Sequence, residues 1–258
     1  MPPVLKAMQS VSTMFAGDAG GSGCSCGSSA ILGGQAVKEI TYGPDTFPPR
    51  AGLVYASLDA AAAFADVYAN IEDIAGESAF AGLKHHTSIV CKVAANWKVY
   101  VDNFLEGYHL PLVHPGLTQL VDYSTYTTEL DQWWSLQRSP VEDSGPYGGG
   151  EGLYFFIYPN IMLNFMPGRI QTNRVVPTSL TTCDVEFDFY YVPGAESRAA
   201  EDRAFTDQIQ EEDRMICEHV QKGLTSGVYE AGRLSPKRES GVWHFQNLLR
   251  QDYRNFHG

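Results

Sequence analysis

Asp102-Asn103-Phe104-Leu105-Glu106-Gly107-Tyr108-His109-Leu110-Pro111-Leu112-Val113-His114-Pro115 sets a carboxylate and two imidazoles, those of Glu106, His109 and His114, in apolar and aromatic company. Glu106 and His109 are three residues apart, which puts them on one face of a helix. His114 lies five residues beyond His109, and on an unbroken helix it would point well away. Pro111 falls between them. It has no amide hydrogen to donate and its ring presses on the carbonyl of the preceding turn, so the helix is expected to kink or stop there. Beyond such a break His114 can swing back toward His109, and two imidazoles then converge with a carboxylate beside them. A His in an apolar helix is more often a core or surface residue than a ligand, and on spacing alone that plainer reading stands beside the metal-site one. The pattern is not that of a metalloprotease helix, whose two His flank a Glu at helical spacing. A mononuclear iron site of two His and one carboxylate needs a third ligand from elsewhere in the chain.

A later helix offers that ligand. Residues 203 to 224 have helical character, with Phe205, Ile209, Ile216, Val220 and Leu224 marking one apolar stripe and Asp213 set inside it. Glu211, Arg214, Glu218 and Lys222 point elsewhere and read as an ordinary solvated face. A carboxylate on a buried stripe is costly unless it is paired or holds a metal. Taken alone, Asp213 is equally a buried ion pair or a wet stripe edge; taken with the two His, it is the best third ligand. His85, His86, His219, His244 and His257 are read as non-ligands. His219 falls on the polar side of its helix, and the others lack a carboxylate at a helpful spacing.

Outward from the opening stretch, residues 87 to 93 alternate like a strand leading into Asn96-Trp97-Lys98, where the helix begins. Residues 121 to 134 are Thr- and Tyr-rich and read as extended, and 144 to 150 as a Gly-rich loop. Strands are predicted at 153–158, 161–165, 170–176 and 183–192, punctuated by Pro159-Asn160, Pro167-Gly168 and the 177–182 turn. Short turns between strands imply an antiparallel sheet, and flanking helices make the fold α+β. Upstream, order is expected to begin near Phe47-Pro48-Pro49, followed by a strand at 52–58 and an Ala-rich helix at 59–70 capped by Asp59. Residues 15 to 36 are dominated by Gly, Ser and Ala and read as flexible. Cys24 and Cys26 have no matching second pair and no His nearby, so they are not taken as a metal site.

At 258 residues and 28.4 kDa the chain is one sizeable domain, or one with an appendage. Hydrophobic residues make up 44%, enough for a proper core. A formal charge of −12 and a pI near 4.9 argue against a nucleic-acid partner, since no basic patch stands out. No apolar run reaches the ~18 residues of a membrane span, and the N-terminus lacks the apolar core and cleavage site of a signal peptide. Five scattered cysteines fit a reducing cytoplasm better than a disulfide framework.

The run Asn96-Trp97-Lys98, then Asp102-Asn103-Phe104-Leu105-Glu106-Gly107-Tyr108-His109, then His114-Pro115-Gly116-Leu117, closely resembles the catalytic domain of Rieske-type non-haem iron oxygenases, the large subunits of ring-hydroxylating enzymes. So do Tyr158-Pro159-Asn160-Ile161-Met162-Leu163-Asn164, Glu212-Asp213 with Val220-Gln221-Lys222-Gly223-Leu224, and Gly232-Arg233-Leu234-Ser235-Pro236 with Glu239. The resemblance spans roughly residues 50 to 250, in order. It implies a helix-grip (START-like) antiparallel sheet with flanking helices, and His109, His114 and Asp213 as ligands of Fe(II). It also implies Asn103 close to the metal, and Glu106 as the carboxylate bridging to the Rieske cluster of a neighbouring subunit in a trimer-based assembly. Many ring dioxygenases carry Asp at the bridging position; Glu resembles the branch acting on betaine, carnitine or choline-like amines.

One departure bears on mechanism. A Rieske cluster is held by a Cys-x-His and a Cys-x-x-His pair, and the two do not occur together here: there is no Cys-x-x-His, no His precedes His85, and the one Cys-x-His spacing is Cys217-Glu218-His219 on the Asp213 helix. The reading is therefore an atypical, Gly/Ser-rich segment at 1–48 without Rieske ligands and a non-haem iron catalytic domain at 49–258. The resemblance implies an oxygenase subunit using O2 to mono- or dioxygenate, or N-demethylate, a small aromatic or quaternary-amine substrate. Its electrons would come from a [2Fe-2S] Rieske cluster on a partner chain or through a ferredoxin and reductase. The pocket is expected between the sheet and the Asp213 helix, with Tyr154, Phe156, Tyr158 and Phe165 available to line it. The competing reading is a catalytically inactive ligand-binding or partner subunit on the same scaffold.

Overall fold

A computed structural model describes residues 12–15, 31–32, 35–36, 53–56, 64–119, 125–141 and 149–257. Strand β1 (Ser12–Phe15) pairs antiparallel with β4 (Leu53–Ala56), and β2 (Ile31–Leu32) with β3 (Gln35–Ala36). Most of the Gly/Ser-rich stretch, the Asp59 cap and all but the end of the 144–150 loop lie outside the described residues.

Seven strands build the main sheet: β5 (Lys84–Val93), β6 (Thr127–Leu130), β7 (Trp134–Val141), β8 (Gly150–Ile157), β9 (Ile161–Met166), β10 (Arg169–Pro177) and β11 (Cys183–Tyr191). Their order is β5-β11-β10-β9-β8-β7-β6, and every neighbouring pair is antiparallel. From β6 to β11 the strands follow one another as a meander, which is what the short Pro- and Gly-containing turns dictate. β5 closes the far edge against β11. The four strands expected from alternation are present within a residue or three. β7 is an addition: Pro140 and the polar Ser135, Gln137 and Ser139 break the apolar pattern that marks a strand.

Alternation along the strands produces two buried faces. On one, Val93, Phe156, Tyr158, Met162, Val175, Val185 and Phe187 meet the helices α4 (Trp97–Phe104), α6 (Ala199–Thr225) and α7 (Ser240–His257). On the other, Trp134, Leu136, Leu153, Phe155, Leu163 and Phe165 are covered by residues from α1 (Phe64–Val67), α2 (Ile71–Ala75) and α3 (Glu77–Phe80). Phe245 of α7 is fully buried, its ring edge-on to Trp97 of α4 at 5.7 Å and to Phe156 of β8 at 5.4 Å. Burying such a ring stabilises by roughly 1.5–3 kcal/mol, and here it ties two helices and the sheet together.

Three expectations are corrected. The helix expected at 59–70 is described only from Phe64, and it ends at Val67, three residues early: Asn70 adopts a left-handed conformation, φ 63°, at the start of α2. Short polar Asn tolerates that region. On α6 the apolar stripe is not the buried one. Val220 and Leu224 are exposed, while Ala199, Asp202, Thr206, Asp213 and Cys217 face inward. The apolar residues thus lie beside the buried line, and the inner line is polar because it faces the centre described below. Phe165 lies on the opposite sheet face from Phe156 and Tyr158, edge-on to Phe80 at 5.3 Å.

Among the described residues no helix is long and apolar enough to cross a membrane.

Candidate metal centre

The opening stretch does not fold as one helix broken at Pro111. Asn96 caps α4, its side chain accepting from the Lys98 amide at 3.0 Å, and the helix ends at Phe104, before Glu106. The Glu106 carboxylate then accepts from the Tyr108 amide and so captures the backbone that would have continued the helix. His109 stands at the N-cap of a new short helix, α5 (Leu110–Val113), with Pro111 in its first turn, where a missing amide hydrogen is no loss. Pro111 therefore starts a helix rather than ending one, and the turn at 105–109 is what lets both imidazoles point the same way.

The convergence is tight. One ligand atom from each of His109, His114 and Asp213 lies within 4.8 Å of the others, and this is the one such cluster among the described residues. The two rings are 5.0 Å apart between centroids and inclined at 75°. His114 Nε2 is 3.1 Å and His109 Nε2 3.6 Å from Asp213 Oδ1. Asn103 Nδ2 donates to the same oxygen at 2.7 Å, orienting the Asp213 carboxylate from α4. His114 is 1% exposed; Asp213 is buried and His109 half-buried.

The far nitrogen of each ring is held by a carboxylate. His109 Nδ1 lies 2.6 Å from Glu106 Oε1, and His114 Nδ1 lies 2.6 Å from Glu212 Oε2. Gln208 Nε2 donates to the other Glu212 oxygen at 3.0 Å. An ionised carboxylate can only accept, so each Nδ1 carries the hydrogen and each Nε2 presents a lone pair. Both lone pairs then face Asp213 Oδ1. That arrangement is repulsive unless a cation answers it, either a proton on a ring or a metal ion between the three groups. Burial opposes a charged His114 ring, but the hydrogen bonds and charges of Asp213 and Glu212 outweigh it, and its pKa lies above the ordinary value. Two nitrogens and one carboxylate oxygen are the donor set of a non-haem Fe(II) site, and the residues present fit that group.

Glu212 is the functional residue that sequence reasoning missed. It is adjacent to Asp213, and its partner is 98 residues away, so no local spacing reveals it. Glu218, expected on the solvated face, accepts from the Ala94 amide at 3.2 Å, while Gln221 accepts from the Asn96 amide at 2.8 Å. Together they lock α6 to the start of α4. His85 bonds Ser88, His86 stacks edge-on to Tyr191, and His219 is exposed. Burial pushes the pKa of the Cys183 thiol up to about 12 and that of Cys217 higher still, the mark of inert packing thiols.

Residues 80–254 match the family of ring hydroxylating alpha subunits, over the catalytic domain. Chloroplastic choline monooxygenase of Arabidopsis thaliana is 36% identical over 190 residues, covering 67% of this chain and 44% of the relative. The oxygenase subunit of carnitine monooxygenase from Escherichia coli (strain K12) is 31% identical over 192 residues, 67% of this chain and 51% of the relative. Among solved structures, a quaternary ammonium Rieske monooxygenase superposes with a TM-score of 0.71 at 26% identity, covering 80% of this chain and 61% of that one. Naphthalene 1,2-dioxygenase from Rhodococcus, 14% identical with a TM-score of 0.57 over 93% of this chain and 72% of its own, shares the fold. The chain spans about half the length of the curated relatives it matches.

Proposed function

The chain belongs to the ring hydroxylating alpha subunit family, of which it carries the catalytic domain, and from that premise we propose that it is the oxygen-activating part of a mononuclear non-haem iron oxygenase. His109, His114 and Asp213 hold Fe(II), residues 49–258 form the catalytic domain, and the substrate is a small quaternary amine. The observation that carries this reading is the meeting of two imidazole lone pairs and a carboxylate oxygen, drawn from two distant segments, at one buried point.

Fe(II) bound there supplies the electron needed to begin reducing O2. The chain's own residues do the rest by position. Glu106 and Glu212 keep a hydrogen on each Nδ1 and so keep each Nε2 free for the metal. Asn103 fixes the rotation of the Asp213 carboxylate. The buried aromatic face of the sheet excludes water from one side. Hydroxylating a C–H bond with O2 takes two electrons and two protons from outside the substrate and releases water. Glu106 Oε1, 2.6 Å from His109 Nδ1, would lie between His109 and a Rieske cluster on a partner chain, which would supply the electrons. Hydroxylation of an N-methyl group releases the carbon as an aldehyde, so dealkylation follows. The amine assignment is supported by relatives named for choline and carnitine, and by Glu rather than Asp at position 106. A trimer-based assembly would bring the partner's cluster to Glu106. The free thiols of Cys91, Cys183 and Cys217 suit a reducing compartment such as the cytoplasm.

Anaerobic Fe(II) reconstitution of the wild type, His109→Ala and Asp213→Ala, with metal quantitation, tests the reading. One iron per chain, lost in both variants, is the expected result. A correctly folded wild type that takes up no iron would overturn it in favour of an inactive ligand-binding subunit.

A further inference from the structure

Helix α7 carries an outer stripe that the core does not use. Val242, Phe245 and Leu249 are buried toward the sheet. Trp243, Asn247, Arg250 and Arg254 fall at i, i+4, i+7 and i+11 and so share one narrow face of the helix. Trp243, Arg250 and Arg254 are exposed, the indole at 54%. Between this stripe and the turn from β6 to β7 lies a cavity of about 570 Å³, with Gln132 of the turn and the ring of His244 among its walls. None of its lining residues belongs to the metal centre.

No carboxylate lines this cavity, in a chain whose formal charge is −12. Arg138, Arg174, Arg203 and Arg214 each pair with a carboxylate. Arg250 instead donates to amide oxygens, Asn247 Oδ1 at 2.9 Å and Gln246 Oε1 at 3.4 Å. Arg254 makes no ion pair among the described residues. Asp131, next to Gln132, turns its Oδ1 to the Gln132 amide at 2.6 Å. Neutral amides orient a guanidinium without cancelling its charge, so two uncompensated cations stand one helical turn apart on the rim. Deeper in, burial holds the His244 ring's pKa below its ordinary value, against the carbonyls of Gln132 and Asp131 that accept from it. The ring is therefore neutral at neutral pH, and Nδ1, buried with no partner in the protein, keeps a lone pair. Buried polar atoms are ordinarily paired, and each exception calls for an explanation.

The wall thus offers a flat indole, two guanidinium groups and one unanswered acceptor. Along the helix Arg250 stands roughly 10 Å and Arg254 roughly 16 Å from Trp243. A small inorganic anion would use the arginines and leave the indole and Nδ1 idle. An uncharged flat ring would use the indole and leave both cations idle. A nucleotide answers all of them: its base stacks on an indole, its phosphates match the guanidinium fork, and its hydroxyl and amino hydrogens offer the donor that Nδ1 lacks. We propose that this cavity on the outer side of α7 binds a nucleoside diphosphate, Trp243 holding the base and Arg250 and Arg254 the phosphates. The site is separate from the iron centre and does not depend on the amine reading.

Calorimetric titration of the full chain with ADP, adenosine and inorganic pyrophosphate tests this, without added divalent metal. The proteins are wild type, Trp243→Leu and the double variant Arg250→Gln with Arg254→Gln. ADP should bind wild type about tenfold or more tighter than either fragment. The double variant should weaken ADP about 10- to 100-fold, the range of charge-assisted hydrogen bonds, and leave adenosine within about twofold. Trp243→Leu should weaken ADP about 2- to 10-fold and leave pyrophosphate unchanged. All three positions are exposed, and Arg254→Gln alone carries the test should the double variant fail to fold. Pyrophosphate binding as tightly as ADP would overturn the inference in favour of a bare anion site. ADP affinity unchanged in both variants would place the nucleotide elsewhere and overturn it as well. No ADP binding at millimolar concentration would also overturn it. If the double variant then needed more of a Rieske partner for half-maximal rate, the face would be a dock for an acidic protein instead. Each of these outcomes leaves the iron assignment standing.

Discussion

Glu212 touches His114 only at the nitrogen that faces away from Asp213, yet that contact decides what the other nitrogen can do. Replacing its carboxylate by an amide leaves the shape but allows the ring to present either tautomer. Glu212→Gln should lower Fe(II) affinity roughly 10- to 100-fold, read by anaerobic competition against a coloured chelator, with little change in the melting temperature of the metal-free protein. An affinity within twofold of wild type would show that His114 is oriented by packing alone. Asp102 makes a different case. Burial raises its pKa to about 7, against the hydrogen bond from Gln246 and the charge of Lys98, while an unfolded Asp titrates near 3.8. Between those values the folded protein binds a proton that the unfolded chain has released. The associated stability is full below about pH 4 and is lost as pH climbs through about 7. Asp102→Asn should therefore be the more stable protein at pH 8, by roughly 1–3 kcal/mol, and lose that advantage by pH 4. Parallel urea curves across that range would refute the assignment. At this scale His109, His114 and Asp213 could be picked from the sequence as a candidate donor set because each has a chemical signature, whereas the contact of Glu212 could not, since it depends on a ring brought from another segment.

Elements show where periodicity succeeds and where it does not. β8, β9 and β11 were legible because each carries an alternating apolar row, Leu153-Phe155-Ile157, Ile161-Leu163-Phe165 and Val185-Phe187-Phe189, and β10 because the turns on either side of it hold Pro or Gly. β7 was not, because Ser135, Gln137 and Ser139 face inward toward a polar patch rather than a core. The same reason misplaces the stripe on α6: the inner line of that helix holds Asp202, Thr206 and Asp213, so apolar spacing points to the flank. α4 and α7 meet through a contact that composition cannot show. A Cβ on Gly241 would lie 2.8 Å from the Leu105 carbonyl oxygen, backbone that cannot swing aside. Gly241→Ala gains helix propensity but must push α7 away from the turn that leads to Glu106. The expected net effect is a destabilisation of about 1–3 kcal/mol, accompanied by weaker Fe(II) binding because the turn carries His109. A rise in melting temperature with unchanged metal affinity would mean that the helix propensity of Ala outweighs the contact and that the turn is set without α7.

The whole chain poses an electron-counting problem. One mononuclear iron gives one electron on oxidation, whereas each hydroxylation with O2 draws two from outside the substrate. The 258 residues hold no Cys-x-x-His, and their one Cys-x-His spacing, Cys217-Glu218-His219, has a buried thiol and an exposed ring on one helix, so the paired ligands of a Rieske cluster are not present. Beside the centre, Tyr108 and Leu112 are exposed, at 44% and 86%, on the stretch that holds Glu106 and His109. Apolar side chains left in water next to the Glu106 carboxylate suit a surface that another protein covers. The iron-loaded chain should therefore lack iron–sulfur absorption between 400 and 600 nm and show no sustained substrate-dependent O2 uptake by itself. Adding a Rieske protein with its reductase should restore multiple turnovers, and placing a charge at both exposed positions, Tyr108→Glu with Leu112→Glu, should raise the partner concentration needed for half-maximal rate by about tenfold or more while iron content stays at one per chain. Steady turnover with a chemical reductant alone, at a rate the partner does not increase, would mean that electrons reach the iron without passing this surface. The partner-fed description would then fail even if every ligand assignment held.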